Sequence, residues 1–351
     1  MNIILATVQV PFIRGGAEAQ AEETQARLRA RGHNVDTVAL PFKCYPEECL
    51  LQTMVCARCM DLSEVNGRKV DMLIALRFPA YYTYHSNKVI WLLHQHRQAY
   101  DLWRTPFGYI DQWPNGEYVR ETIRESDNRY LGEATARYAN SRNVSNRLMK
   151  YNGLEATPLY HPPPSHERLG CNGWEPYIFY PSRITAMKRQ GLLVEAARYM
   201  RSDARIVFAG TGDDAEVQAL HELARRHGVE SRIRFEGFVT QERKFDLLAS
   251  CSAVYFGAFD EDYGYVTLEA MFSGKPVLAL SDSGGALEFV EHGFNGYVVE
   301  TDPQALAERI DELVSDRAAA ASLGQHGLDT MKEKRIDWDY VTETLLKHGH
   351  G

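Results

Sequence analysis

The β-α-β pattern of this 351-residue chain starts twice. An apolar run from Asn2 to Val10 breaks at Pro11 and leads through Gly15-Gly16 into a helical pattern from Ala17 to about Arg31. Gly32 ends that helix, and Val35–Leu40 reads as the second strand. The alternation restarts beyond His161–Pro176, a Pro- and Gly-rich stretch without apolar period. There Tyr177–Tyr180, Arg205–Ala209 and Ile233–Glu236 read as strands, with helices predicted over 191–200 and 214–227. Strands alternating with helices form parallel sheets covered on both faces. Two such series predict an α/β chain of two Rossmann-like, doubly wound domains, residues 1–163 and 164–330. A terminal amphipathic segment follows at 331–351. The length agrees, since single cores rarely grow beyond about 250–300 residues.

Net charge is −8, which argues against nucleic acid as a partner. The N-terminus lacks the basic region of a signal peptide, and no apolar run reaches the ~18 residues of a membrane span. The expected location is the cytoplasm, and contact with the inner face of a membrane would need a local patch. Four of six cysteines cluster at Cys44, Cys49, Cys56 and Cys59. Leu50, Leu51, Met54 and Val55 give this stretch a helical apolar pattern, so Cys56 and Cys59 are expected as small buried side chains rather than zinc ligands.

Within the first half, Lys88–Leu93 reads as a strand ending in His94-Gln95-His96. Trp103, Phe107, Tyr109 and Trp113 stand among prolines and glycines in a long segment before a helix predicted over 112–138. Aromatic faces stack on sugar rings, so these four are candidate acceptor contacts; a small apolar subcore fits the pattern equally well. In the second half, Arg183 and Lys188 occupy the first βα turn, and Arg189 reads as a solvated neighbour. Gly210-Thr211-Gly212 follows the next strand as a G-x-G turn, with Glu236 further on. That spacing is also a dinucleotide fingerprint, and it supports an NAD(P)-dependent oxidoreductase as a competing function.

The densest signal is Val254–Phe289. A strand leads into Asp260-Glu261-Asp262, then a helix predicted over Gly264–Phe272, a strand at Val277–Leu280 and a Gly284-Gly285 turn. A diphosphate capping the helix at Tyr263-Gly264-Tyr265 would leave Glu269, about 7 Å down the axis, to accept from a ribose. Glu261 would face a transferred sugar, because ionised carboxylates accept hydroxyl protons without donating.

E-x7-E, A-M-x-x-G-x-P-V and G-G-x-x-E, as Glu261 to Glu288 spell them, closely resemble the retaining glycosyltransferases of family 4. The family's usual E-G-F-G stands here as Glu261-Asp262-Tyr263-Gly264. The resemblance implies a GT-B fold, two Rossmann-like domains facing a cleft, with a final helix crossing back to the N-terminal domain. It implies a hexosyltransferase acting on a nucleotide-sugar, UDP- or GDP-linked, held by the C-terminal domain. Arg183 and Lys188 would take the diphosphate and Glu269 the ribose. Glu261 would hold the sugar hydroxyls, and Phe238 and Val239 would line the base. Gly15, Gly16, Gly210 and Gly212 would let backbone approach the donor. His94, or failing it His96, would contact the sugar. No essential metal is implied, although Asp260-x-Asp262 and Asp337-x-Asp339 resemble the metal motif of the other glycosyltransferase fold. A saccharide, lipid-linked or small-molecule acceptor is expected, in surface polysaccharide or glycoconjugate synthesis. A catalytically silent nucleotide-sugar-binding protein is the third reading.

Overall fold

In the computed structural model, which describes residues 1–349, the chain forms two compact units. One comprises Met1–Pro164 and the chain from Asp337 onward; the other is Ser165–Ile336. The last two residues of the 331–351 segment lie outside the described residues.

The first unit is built on a parallel sheet of β1 (Asn2–Gln9), β2 (Asn34–Pro41), β5 (Met72–Ala75), β6 (Lys88–Leu92), β7 (Ala136–Ala139) and β8 (Thr157–Pro158), in the order β2-β1-β5-β6-β7-β8. The pair β3 (Glu64–Val65) and β4 (Arg68–Lys69) is a separate antiparallel hairpin. Helices α1 (Gly16–Ala30), α2 (Glu47–Cys59), α3 (Gly116–Gly132) and α4 (Arg142–Asn152) complete the crossovers. The second unit holds β9 (Glu175–Pro181), β10 (Arg205–Ala209), β11 (Ile233–Phe235), β12 (Cys251–Phe256), β13 (Val277–Leu280) and β14 (Gly296–Val299). Their order is β11-β10-β9-β12-β13-β14. Around them lie α5 (Gln190–Ala196), α6 (Asp214–His227), α7 (Gln241–Ser250), α8 (Tyr265–Phe272), α9 (Pro303–Ser315) and α10 (Arg317–Glu333). In this sheet the direction of winding reverses between β9 and β12. A ligand is expected outside the carboxyl ends of the strands at that switch.

Several boundaries differ from the sequence-based expectation. The helix predicted over 112–138 is α3 alone, and residues 136–139 form β7. The polar run that reads as one helix is interrupted after Gly132, where Thr135 N–H donates to the Lys88 carbonyl at 2.8 Å and enters the sheet. Strand β8, the hairpin and helix α7 escape the apolar pattern because they are short or mostly polar. At the other end, α10 runs to Glu333, and Gly324 and Gly327 let it lie against Gly274 and Met271 of the second unit. The second unit accordingly ends at Ile336, not 330.

Helix α11 (Trp338–Leu346) packs within the first unit. Trp338 meets Trp91 at 6.3 Å and His161 at 5.7 Å between ring centroids, and Arg31 binds Asp339 at 2.7 Å. No described helix is long and apolar enough to cross a membrane.

The cysteines also depart from expectation. On α2 the buried stripe is Leu50, Met54 and Ala57, whereas Cys56 and Cys59 are exposed on other faces. Cys251 is buried, and burial pushes its thiol up to about 12. Native protein treated with a maleimide should therefore label at Cys56, Cys59 and the exposed Cys171 while sparing Cys251. Peptide mapping showing Cys251 modified as fast as Cys56 would contradict this burial.

Candidate active site

The carboxyl ends of β9 and β12 carry the two loops that the sequence singles out. After β9, Arg183 is exposed and Lys188 half-buried. After β12, Glu261 is half-buried, and the Lys188 ammonium donates to its carboxylate. Residues 73 positions apart thus form one ion pair beside the N-terminus of α8. Gly264 caps that helix in the left-handed region, with φ 84°. Glu269, in the second turn of α8, is 5 % exposed and accepts from Lys244 of α7 at 2.6 Å.

Three backbone segments hold this arrangement. Arg189, expected in solvent, instead donates from Nε to the Gly257 carbonyl at 2.6 Å and grips Asp282 with two bonds of 2.8 and 2.6 Å. A bidentate guanidinium–carboxylate pair fixes direction as well as distance. Asp282 in turn accepts at its carbonyl from Asp260 N–H at 2.9 Å. Gly284, at φ 64°, runs alongside Glu261; a Cβ there would lie 2.6 Å from the Glu261 carbonyl oxygen. Only glycine allows both that backbone angle and that approach. The G-G turn therefore serves to seat the acidic loop, a role the sequence motif does not reveal by itself.

Gly210 and Gly212 lie against the backbone of the first βα turn. A Cβ on Gly210 would come within 2.1 Å of the Ser182 carbonyl, and one on Gly212 within 2.5 Å of that of Ile184. What these glycines admit is the backbone of the Arg183 loop. Glu236, the ribose candidate of the oxidoreductase reading, is bound by Arg234 at 2.5 Å and approached by Arg243 at 3.4 Å. The glycines of the dinucleotide spelling thus have a packing role within the second unit, and Glu236 has cationic partners of its own.

Phe238 lies just past β11 and is 82 % exposed, with Val239 half-buried beside it. The Tyr263 ring is buried against Phe289 and Tyr265, so its backbone rather than its side chain belongs to the helix start. Lys244 and Arg189 are the polar groups that the motifs miss. Helix α7 has the period of an ordinary surface helix, and a basic residue next to Lys188 reads as redundant.

In the first unit, Gly15 caps α1, and its N–H donates to Glu18 at 2.9 Å. Arg77, past β5, binds the other Glu18 oxygen at 2.8 Å. Gly16 is exposed at the first position of the helix. His94 is half-buried, with Nδ1 donating to the Gln95 carbonyl at 2.7 Å. His96 stacks on Phe78 at 5.0 Å and is buried, so of the two only His94 faces outward enough to meet a ligand. Trp103, Tyr109 and Trp113 pack on the core of this unit, as the subcore alternative has it. Phe107 is half-buried nearby. Arg120 covers the Trp103 ring at 4.8 Å. Among the described residues no three metal-ligating side chains gather, at Asp260-x-Asp262, at Asp337-x-Asp339 or at the cysteines.

Burial lowers the His96 imidazole to about 3. An unfolded histidine binds its proton near 6.5. Between these values the unfolded chain holds a proton that the folded chain refuses, so stability falls as pH drops from about 6.5 toward 3. Burial raises the Asp127 carboxyl to about 6, against three donating tyrosine hydroxyls, and this group opposes the trend between about 4 and 6. Nε2 of His96 has no hydrogen-bond partner among the described residues. His96→Phe should therefore keep the melting temperature at pH 7 and lose less of it by pH 5 than wild type. Parallel melting curves for the two proteins would refute this.

Two solved structures similar to this chain bear on the fold. Sucrose-phosphate synthase from Thermosynechococcus elongatus superposes with a TM-score of 0.79 over 99 % of this chain and 97 % of its own, at 17 % identity. Anabaena HepE, solved with UDP and glucose, gives 0.72 over 99 % and 98 %, at 19 % identity. The fold is GT-B. Within this GT-B chain, residues 163–329 match the family model described as glycosyl transferases group 1. An uncharacterized glycosyltransferase of Methanocaldococcus jannaschii is 30 % identical over 181 residues, 51 % of this chain and 45 % of that protein. The chain spans less than half the length of the first curated relatives it matches, 31 % to 45 %.

Proposed function

We propose that this GT-B protein is a retaining hexosyltransferase that takes a sugar from a nucleotide-sugar donor, UDP- or GDP-linked. The observation that carries the reading is the Lys188–Glu261 pair beside the N-terminus of α8. A sugar–diphosphate junction needs a cation at the phosphate and an acceptor at the neighbouring hydroxyls, and these two groups stand in contact. Arg183 and Lys188 bind the diphosphate and stabilise the charge that grows on it as the bond breaks. The positive end of α8 adds to them. Glu269 accepts from the ribose, Glu261 from the sugar, and Phe238 with Val239 lines the base. From the first unit we assign Gly15, Gly16 and His94 to the donor on the family resemblance alone.

In the transfer, the acceptor hydroxyl oxygen bonds to the anomeric carbon on the face that the leaving phosphate vacates. The bond to the β-phosphate oxygen breaks, and the hydroxyl proton passes to that phosphate. Fixed side-chain cations supply the charge, so no divalent metal is required. Surface polysaccharide or glycoconjugate synthesis in the cytoplasm, at or near a membrane face, is the setting proposed. Support comes from the motif spacing, the group 1 match of the second unit and UDP bound in HepE.

Calorimetry with UDP, GDP, ADP and NAD(H), with EDTA present, tests this. One nucleoside diphosphate should bind well above the others, with NAD(H) silent. A preference for NAD(H), or activity abolished by EDTA, would overturn the corresponding part. Nucleotide-sugar binding without turnover across acceptors would favour the silent protein.

A further inference from the structure

A cavity of about 620 Å³ opens in the first unit beyond the carboxyl ends of β1 and β2. Val10, Leu40 and Phe42 line one side. The other is a stripe of α2, Cys49, Gln52, Thr53 and Cys56, spaced i, i+3, i+4, i+7 on the face away from the core. Cys56 thus lies on the cavity face of α2 and not on its buried stripe.

The chemistry of the lining is one-sided. Apart from apolar groups, thiols and the neutral Gln52 and Thr53, the wall carries one charge, Lys43. Its ammonium lies 5.2 Å over the Tyr45 ring and forms no ion pair among the described residues. The aromatic-rich segment is fastened to the start of α2, where Asn115 donates to Glu47 at 2.5 Å. Beside the rim, Phe12 is fully exposed and Ile13 half so. Large apolar cavities with one or two placed polar groups are the usual form of a ligand site, and the carboxyl edge of a parallel sheet is its usual place.

We propose that this cavity takes the apolar chain of an anionic amphiphile, with Lys43 pairing with its phosphate, and that this amphiphile is the acceptor of the transfer. The acceptor role rests on the function proposed above; the binding does not. A flexible chain gains from burying its methylenes, and a lone lysine complements a single anionic head.

Farnesyl phosphate and farnesol, both below their aggregation limits, are the probes, titrated into the full chain by calorimetry. Wild type should bind farnesyl phosphate about fivefold tighter than farnesol. Lys43→Gln should erase that preference, and Thr53→Trp, which fills the cavity, should weaken both ligands by at least about tenfold. Farnesyl phosphate should also slow maleimide labelling of Cys56 in wild type, a readout that does not depend on a variant folding. UDP affinity, measured in parallel, should stay constant in both variants. Equal binding by Thr53→Trp and wild type, or binding to phosphatidylglycerol vesicles without binding of monomeric farnesyl phosphate, would overturn the proposal. Farnesyl phosphate bound as expected in a protein that ignores UDP would sustain the cavity and remove the transferase reading.

Discussion

Lys188→Ala should lower kcat by about 10²- to 10³-fold, the size of effect seen when one fixed group that stabilises transition-state charge is removed. Lys188 has two tasks here. In the proposed transfer it would face the charge that develops on the leaving diphosphate, and in the structure it is the partner of Glu261. Donor binding should suffer less than turnover, because Arg183 and the helix start remain for the ground state. The loops should stay in place, since Arg189 and Asp282, not Lys188, tie them together. Steady-state kinetics with the preferred nucleotide-sugar would decide. A kcat within about threefold of wild type would remove Lys188 from the chemistry. Glu261→Gln is the companion: if the pair acts as one unit, the double variant should cost less than the two single losses combined.

Glu269→Ala should weaken nucleoside diphosphate binding by about 10- to 100-fold, the range for hydrogen bonds to a charged acceptor. The carboxylate is buried and already directed, because Lys244 holds one oxygen at 2.6 Å. A ribose can then find the other without the site reorganising. Removing Glu269 also strands the Lys244 ammonium. The sharper readout is the preference for UDP over deoxy-UDP, which Glu269→Ala should abolish. Lys244→Met should retain a reduced preference, since the acceptor survives but loses its orientation. A preference unchanged in Glu269→Ala would place the ribose elsewhere.

Much of the fold is legible in the sequence, because apolar runs such as Asn2–Val10 and Val254–Phe256 are buried on both faces and stand out without an alignment. Helix α3 is the opposite case. Its polar face runs on past Gly132, and only the pairing of Thr135 with the β6 backbone shows where the strand begins. At the site, Arg183, Lys188, Glu261 and Glu269 are singled out by the motifs shared with the resembled family, since their spacing alone also fits a solvated surface. Arg189, Asp282 and Lys244 are missed because their work is to hold backbone or another side chain. Nothing in a linear sequence says that residues 93 positions apart share two hydrogen bonds. The Gly210 turn shows the converse, a familiar spelling whose glycines accommodate a neighbouring loop.

The placement of α11 has a consequence for how the chain is made. The second unit is one uninterrupted stretch, whereas the first is finished only when Trp338 reaches Trp91 and His161. During synthesis the ribosome delivers every strand of the first sheet early, yet that aromatic surface waits uncovered while the next 172 residues, Ser165–Ile336, emerge and fold. Domains usually mature in the order they are translated. Here the later unit should reach its native state first, and the period in between is when a chaperone would have the most apolar surface to hold.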